Sequence, residues 1–110
     1  MQLNYLNKPF FENGCIEKIS AILEDQNILN PLICTDPGIT NAGMTDQLVS
    51  LLSTKIKHSI YDQTPANPTE QSVSEALEIL QKDKCDGIIG FGGGSSIDLA
   101  KAVALMANHD

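Results

Sequence analysis

Three consecutive glycines, Gly92, Gly93 and Gly94, separate two apolar segments of different kinds. The segment before them, residues 86–91, is short and apolar, which predicts a strand buried on both faces. The segment after them runs from Ile97 to about Ala107 and is apolar nearly all round, which predicts a helix that is buried or meets further protein. The glycines therefore mark the point where a buried strand turns into a buried helix.

Strand-like and helix-like segments alternate along the rest of the chain. Helical spacing of apolar residues runs from Ile16 to about Asn27, over residues 44–52 and over residues 73–80, while short runs at 32–34 and 59–61 predict strands. The order α-β-α-β-α-β-α indicates an α/β fold, a Rossmann-like parallel sheet flanked by helices. The 110 residues fit one domain, and no internal boundary or repeat is evident.

Turn and capping residues predict where two of these elements end and begin. Residues 35–38, with the sequence TDPG, predict a turn that closes the first strand. The prolines within residues 65–68 forbid regular structure, so the next helix starts after them. Its cap is Thr69 or Ser72, and Ser72 with Glu75 matches a capping box.

The glycine turn has the properties of an anion site. Glycine permits positive φ and lacks the Cβ that would keep a ligand away from the backbone. The first N–H groups of the following helix have no intrahelical partner, and the helix dipole adds positive charge there. Ser95 and Ser96 add hydroxyl donors, so a phosphate or pyrophosphate is the expected ligand. The alternative is a purely structural turn, capped by Ser95 in a box with Asp98, which accounts poorly for three glycines in a row.

The composition excludes several classes of partner. A formal net charge of -7, from 14 acidic and 7 basic residues, argues against nucleic acid and against an anionic membrane surface. A dinucleotide stays compatible, because backbone N–H groups alone can hold a pyrophosphate. The N-terminus does not resemble a signal peptide, and no apolar run approaches the length of a membrane span.

The cysteines and histidines carry no catalytic or metal-binding pattern. The three cysteines form no C-x-x-C pair, and Cys34 lies in an apolar run that predicts a buried side chain. A reducing cytoplasm is the simplest setting for such a chain. His58 and His109 are too far apart to form a metal site and are expected at the surface.

The segment from Gly92 to Lys101, GGGSSIDLAK, resembles the G-G-G-S-x-x-D-x-A-K signature of iron-containing (group III) alcohol dehydrogenases. Weaker similarities precede it in the family's order, at Phe11-Glu12-Asn13-Gly14, Thr35-Asp36, Asn67-Pro68-Thr69 and Cys85-Asp86-Gly87-Ile88-Ile89. The resemblance implies that residues 1–110 are the N-terminal dinucleotide-binding domain of the dehydroquinate-synthase-like fold.

The resemblance also implies a set of cofactor-binding residues. The pyrophosphate of NAD(P) would be wrapped by Gly93, Gly94, Ser95 and Ser96. Asp36 would lie beside the adenosine ribose, where an acid accepts hydrogen bonds from the hydroxyls and repels a 2′-phosphate, favouring NAD over NADP. Its alternative role is to form the turn before Pro37. Asn67 would lie on the adenine-ribose side, or would simply shape its loop.

The chemistry implied by the resemblance is hydride transfer between a small alcohol or aldehyde and the nicotinamide. A divalent metal, iron or zinc, polarises the alcohol oxygen in the family, held by one Asp and three His of a helical domain that follows the cofactor domain. We expect this chain to be a fragment without that domain. It would contain no catalytic or metal residues, bind NAD(H) and be inactive alone, and a homodimer stays open.

Two alternatives to the alcohol dehydrogenase remain at this point. One is the cofactor domain of a glycerol dehydrogenase-like or dehydroquinate synthase-like enzyme, against which the Ser95-Ser96 and Ala100-Lys101 pairs argue. The other is a non-enzymatic phosphate- or nucleotide-binding module. The combination of Asp36, Asn67 and Gly94 argues against such a module, because a phosphate sensor has no need to recognise a ribose.

Overall fold

The structure of the protein is a computed structural model, and it describes residues 4–6, 18–92 and 94–107. The strands are β1 (Asn4–Leu6), β2 (Pro31–Cys34), β3 (Ser59–Tyr61) and β4 (Gly87–Gly90). The helices within the described ranges are α1 (Ile19–Asp25), α2 (Pro37–Asn41), α3 (Met44–Ser50), α4 (Glu70–Lys82) and α5 (Gly94–Ala107). The family similarity at residues 11–14, and Cys15, Ile16, Gly93 and His109, lie outside the described residues.

The four strands form one parallel sheet in the order β1-β4-β2-β3. In its centre β2 pairs with β4, and Leu32 lies opposite Ile88 while Cys34 lies opposite Gly90. Parallel neighbours require crossover connections, which the helices supply. The predicted Rossmann-like α/β fold is therefore confirmed.

The core is divided into two layers by the sheet. Successive side chains of a strand point to opposite faces, so Leu32 and Ile88 enter one cluster while Ile33 and Ile89 enter the other. Helices α4 and α5 cover the first face, where Leu99 is fully buried, and α1 and α3 cover the second. Both central strands are buried at every position, which explains their continuous apolar sequences.

The segment after β2 forms a helix where the sequence predicted only a turn. Asp36 is the N-cap of α2, and its side chain accepts a hydrogen bond from the Ile39 N–H at 2.8 Å. Pro37 occupies the first helical position, where its missing N–H and fixed φ are tolerated. The residues that indicated a turn are thus also a helix start signal, and the interpretation as a turn was wrong.

The start of α5 differs from the sequence prediction, and the cap of α4 is one of its two predicted alternatives. Helix α5 begins at Gly94, three positions before the predicted start, so Ser95 and Ser96 lie inside its first turn. The structural alternative, in which Ser95 caps this helix, was therefore wrong. For α4, Thr69 is the cap and its capping box is completed by Ser72, because Ser72 then occupies the third helical position. The predicted box between Ser72 and Glu75 was wrong.

The amino ends of the two central strands are joined by Asp86. Its carboxylate accepts hydrogen bonds from the Leu29 N–H at 2.9 Å and the Asn30 N–H at 2.8 Å. The Asp86 N–H donates to the Asn30 carbonyl at 3.0 Å, and the Asn30 amide donates to the carbonyl of Asp83 at 2.9 Å. This network fixes the end of the sheet opposite the glycine turn. Across the described ranges, no helix combines the length and apolar character that crossing a membrane requires.

Candidate functional site

The loops that follow β2, β3 and β4 meet at one edge of the sheet, because all strands run in the same direction. The Thr35 N–H donates to the Tyr61 carbonyl at 2.8 Å, and the Thr35 carbonyl accepts from the Thr64 hydroxyl at 2.7 Å. On the other side, the Phe91 N–H donates to the Cys34 carbonyl at 2.9 Å. Ligands of open α/β sheets bind outside this carboxyl edge, so the site is built here.

Gly90 and Gly92 have structural reasons to be glycine. A Cβ on Gly90 would lie 3.0 Å from the Ile97 Cα and 3.2 Å from the Ala100 Cβ, so this glycine lets α5 pack closely on β4. Gly92 has a φ of +138°, a conformation that side chains rarely adopt. A Cβ there would also lie 3.2 Å from Asp36 Oδ2. These two glycines shape the turn itself.

Gly94 has no such reason. It is the first residue of α5, its φ is not positive, and a Cβ built on it would meet no described atom within 4 Å apart from its chain neighbours and its own helix backbone. Neither packing among the described residues nor backbone conformation requires a glycine there, although alanine is the better helix former. The absence of a side chain keeps the space in front of the helix open for a ligand that approaches the backbone.

The first turn of α5 supplies donors for an anion in that space. This helix is 14 residues long, so its first N–H groups carry the full positive end of a helix dipole. Phosphate groups bind at helix N-termini through such N–H groups. The open space beside Gly94 and the N–H groups of Gly94, Ser95 and Ser96 are therefore a candidate site for an anion such as a pyrophosphate.

Both serine hydroxyls of this turn face protein atoms. The Ser95 hydroxyl donates to the Ala66 carbonyl at 2.6 Å. The Ser96 side chain is fully buried, and its hydroxyl faces Asp36 Oδ2 at 3.5 Å, near the limit of a hydrogen bond. The sequence indicated these hydroxyls as phosphate donors; in the structure both face protein atoms, and their role toward a phosphate stays a prediction.

The structure brings together the described residues that the resemblance implied. Asp36 is half-buried beside Gly92 and Ser96, with one carboxylate oxygen occupied as the cap of α2. Asn67 is exposed in the loop after β3, one residue beyond Ala66, which contacts Ser95. The contacts of these residues with a ligand remain predictions, and Gly93 lies outside the described residues.

Three residues whose contacts the sequence analysis did not predict hold the loops together. Thr35, Thr64 and Ala66 connect the ends of β2 and β3 to each other and to α5. Their contacts depend on the strand register, which no local pattern reveals. The Thr35 hydroxyl is buried and has no hydrogen-bond partner among the residues that the structure describes, which is an uncommon state for a buried polar group.

Burial raises the pKa of ionisable side chains that pack on the sheet. Burial, with a smaller contribution from Cys85, raises the pKa of the Cys34 thiol to about 12, so Cys34 is a neutral buried side chain, as predicted. Burial and the 2.7 Å hydrogen bond to Glu75 raise the pKa of Tyr61. His58 is exposed, as predicted. The described residues contain no group of three or more His, Cys, Asp or Glu able to hold a metal ion.

A concavity of about 550 Å³ lies between α4 and α5. Val73, Leu77, Ala102 and Met106 provide most of its apolar lining. It lies beside the middle and end of α5, away from the free N–H groups of the first turn. Its chemistry therefore does not fit a phosphate.

A family model described as iron-containing alcohol dehydrogenase matches residues 7–110. The chain is 35% identical over 106 residues to a 4-hydroxybutyrate dehydrogenase of Cupriavidus necator, covering 96% of this chain and 28% of that protein. It is 38% identical over 100 residues to alcohol dehydrogenase 4 of Schizosaccharomyces pombe, covering 90% and 24%. Among solved structures, NADH-dependent butanol dehydrogenase A of Thermotoga maritima superposes with a TM-score of 0.81 at 31% identity, covering 98% and 27%.

The chain belongs to the iron-containing alcohol dehydrogenase family. This confirms the resemblance based on the glycine turn. The chain spans 24–28% of the length of the relatives named above.

Proposed function

We propose that the turn at residues 92–96 binds the pyrophosphate of NAD(H), and that residues 1–110 form the dinucleotide-binding domain of an alcohol dehydrogenase. The observation that carries this proposal is Gly94, a glycine that packing among the described residues does not require. Its missing Cβ lets a diphosphate reach the N–H groups of Ser95 and Ser96. Family membership supports a dinucleotide, and not a free phosphate compound, as the ligand. The similar butanol dehydrogenase is described as NADH-dependent.

Asp36 makes NAD the preferred form of the cofactor in this proposal. Its carboxylate lies at the carboxyl end of β2, beside the turn that would hold the pyrophosphate. An acid in this place accepts hydrogen bonds from ribose hydroxyls and repels a 2′-phosphate. Asn67, exposed in the neighbouring loop, is proposed to contact the adenosine half from the other side.

For the whole protein we propose hydride transfer between a small alcohol or aldehyde and the nicotinamide. This chain's residues bind and orient the dinucleotide at the sheet edge. A divalent metal, iron or zinc, would polarise the alcohol oxygen, and no described residue is assigned as its ligand. A cytoplasmic location is proposed because Cys34 and Cys85 are buried free thiols, and a homodimer is a further expectation.

Calorimetric titration of the 110-residue chain with NAD⁺ and with NADP⁺ tests this proposal. We expect saturable binding of NAD⁺ and at least tenfold weaker binding of NADP⁺, equivalent to about 1.4 kcal/mol. Circular dichroism of the same sample establishes that the chain is folded. A folded chain that binds neither nucleotide would contradict the proposal, and equal binding of both would contradict the role of Asp36.

A further inference from the structure

The loop between β3 and α4 is held at both ends but carries two prolines in its middle. At its start, the Thr64 N–H and hydroxyl both donate to the Thr35 carbonyl, at 3.3 and 2.7 Å. At its end, Thr69 exchanges hydrogen bonds with Ser72 in the capping box. Pro65 and Pro68 have no N–H to donate, so this middle segment, residues 65–68, depends on other contacts to keep one position.

The Ser95 hydroxyl contacts this middle segment. It donates to the Ala66 carbonyl at 2.6 Å, a short distance for a neutral O–H···O bond. Ser95 lies in the first turn of α5, next to the proposed pyrophosphate site, and Ala66 precedes Asn67. One hydrogen bond therefore connects the two parts of the edge that would hold the pyrophosphate and the adenosine of a dinucleotide.

A hydroxyl has a single proton to donate. While that proton is directed to Ala66, Ser95 cannot donate it to a phosphate oxygen. Its backbone N–H, in contrast, belongs to the free first turn of α5 and stays available to an anion. The two donors of Ser95 are thus separated, one for the ligand and one for the neighbouring loop.

We propose that Ser95 is a positioning residue. Its hydroxyl holds the 65–68 segment so that Asn67 is already positioned to contact the adenosine half of the nucleotide before binding. The inference rests on the proposed binding of NAD(H). The Ser95 hydroxyl then contributes to binding of the adenosine end and not of the phosphates. Pre-organisation of a loop before binding strengthens affinity by reducing the ordering that binding requires.

The test measures the affinities of the Ser95→Ala variant for inorganic pyrophosphate and for ADP-ribose. Both affinities are obtained by NMR titration of the folded chain. We expect Ser95→Ala to weaken ADP-ribose about three- to tenfold, the range of one neutral hydrogen bond, and to change pyrophosphate affinity less than about twofold. Ser95→Thr, which keeps the hydroxyl, should restore ADP-ribose binding. Ser74→Ala, on the exposed side of α4, is the matched control and should change neither affinity.

A second readout does not require any ligand. The ¹⁵N order parameters of Ala66 and Asn67 should fall in ligand-free Ser95→Ala and return to the original values in Ser95→Thr. If Ser95→Ala does not fold, Ser95→Cys replaces it, because a thiol keeps the size of the side chain but donates weakly.

Three results would overturn the inference. An equal loss of affinity for pyrophosphate and ADP-ribose in Ser95→Ala would make the hydroxyl a phosphate ligand. Unchanged affinity for both would show that the contact with Ala66 does not serve binding. Failure of the unmodified chain to bind either compound would remove the proposed function itself, and is recognised because it precedes any substitution.

Discussion

Asp36 Oδ2 lies 3.5 Å from the Ser96 hydroxyl oxygen, although 60 residues separate the two in the chain. The contact follows from the sheet, because β2 and β4 are parallel neighbours and their carboxyl ends lead to Asp36 and to the glycine turn. The carboxylate thus has two neighbours of different kinds. One oxygen caps α2 through the Ile39 N–H, and the other faces the turn.

Replacing Asp36 by Asn should separate its two roles. The amide oxygen of Asn can still cap α2, because Asn is as good an N-cap as Asp. The negative charge that repels a 2′-phosphate is lost, so we expect NADP⁺ to bind more tightly and the preference for NAD⁺ to fall at least severalfold, measured by calorimetry. Asp36→Ala should show the same loss of preference and should also lower the free energy of unfolding by about 1 kcal/mol. An unchanged ratio of the two affinities in Asp36→Asn would contradict the proposed role.

Gly94 and Gly92 should respond differently to alanine. Gly94→Ala places a methyl group in open space at a helical position, so the free energy of unfolding should stay equal or rise by up to about 1 kcal/mol. Affinity for NAD⁺ should nevertheless fall at least tenfold, and Gly94→Val should abolish binding. Gly92→Ala, at a φ of +138°, should lower both stability and binding. Full NAD⁺ affinity in a folded Gly94→Val chain would show that this glycine does not serve a ligand.

The Asp86 network predicts a loss of stability without a loss of binding. Asp86→Ala removes the acceptor of the Leu29 and Asn30 N–H groups, and we expect it to lower the free energy of unfolding by about 1–3 kcal/mol. Urea unfolding measures this change. Glu78→Ala, which removes the same charge from an exposed position of α4, is the control and should have little effect. Loss of NAD⁺ affinity in folded Asp86→Ala would mean that the two ends of the sheet are coupled.

Stability should decrease in alkaline solution because of Cys34. Its pKa is raised by burial to about 12 in the folded chain, whereas the unfolded thiol ionises near 9.0. The contribution of the neutral thiol is therefore fully present below pH 9 and is lost as the pH rises from about 9 to 12. The slope for one such group approaches about 1.4 kcal/mol per pH unit. The difference in unfolding free energy between the wild type and Cys34→Ala should be smaller at pH 10.5 than at pH 8. An equal difference at the two pH values would contradict the assignment.

Much of the fold was predictable because its signals are local. The apolar run at β2, the stripe that includes Ala76 and Leu80 on α4, and the strand before the glycines all appear in the structure where the sequence placed them. The start of α5 was not predicted correctly, because consecutive glycines indicate a turn, whereas Gly94 is already helical. Helix α2 was missed since Asp36 and Pro37 are typical of both turns and helix starts.

The site was predictable only in part, since residue identity does not determine what a hydroxyl contacts. The sequence predicted Ser95 and Ser96 in the turn before α5, whereas both lie in the first turn of that helix. Their partners, Ala66 and Asp36, depend on the spatial order of β3, β2 and β4, which the alternation of elements does not specify.

Titration of the ¹⁵N-labelled chain with NAD⁺, followed residue by residue by NMR, tests whether the nucleotide binds at the first turn of α5. We expect the largest amide shifts at residues 94–96 and further shifts at Asp36 and in the 65–68 segment, and we expect all of them to saturate together. Saturable binding with the largest shifts around Val73, Leu77 and Met106, in the groove between α4 and α5, would contradict it. So would the absence of any shift in a folded chain.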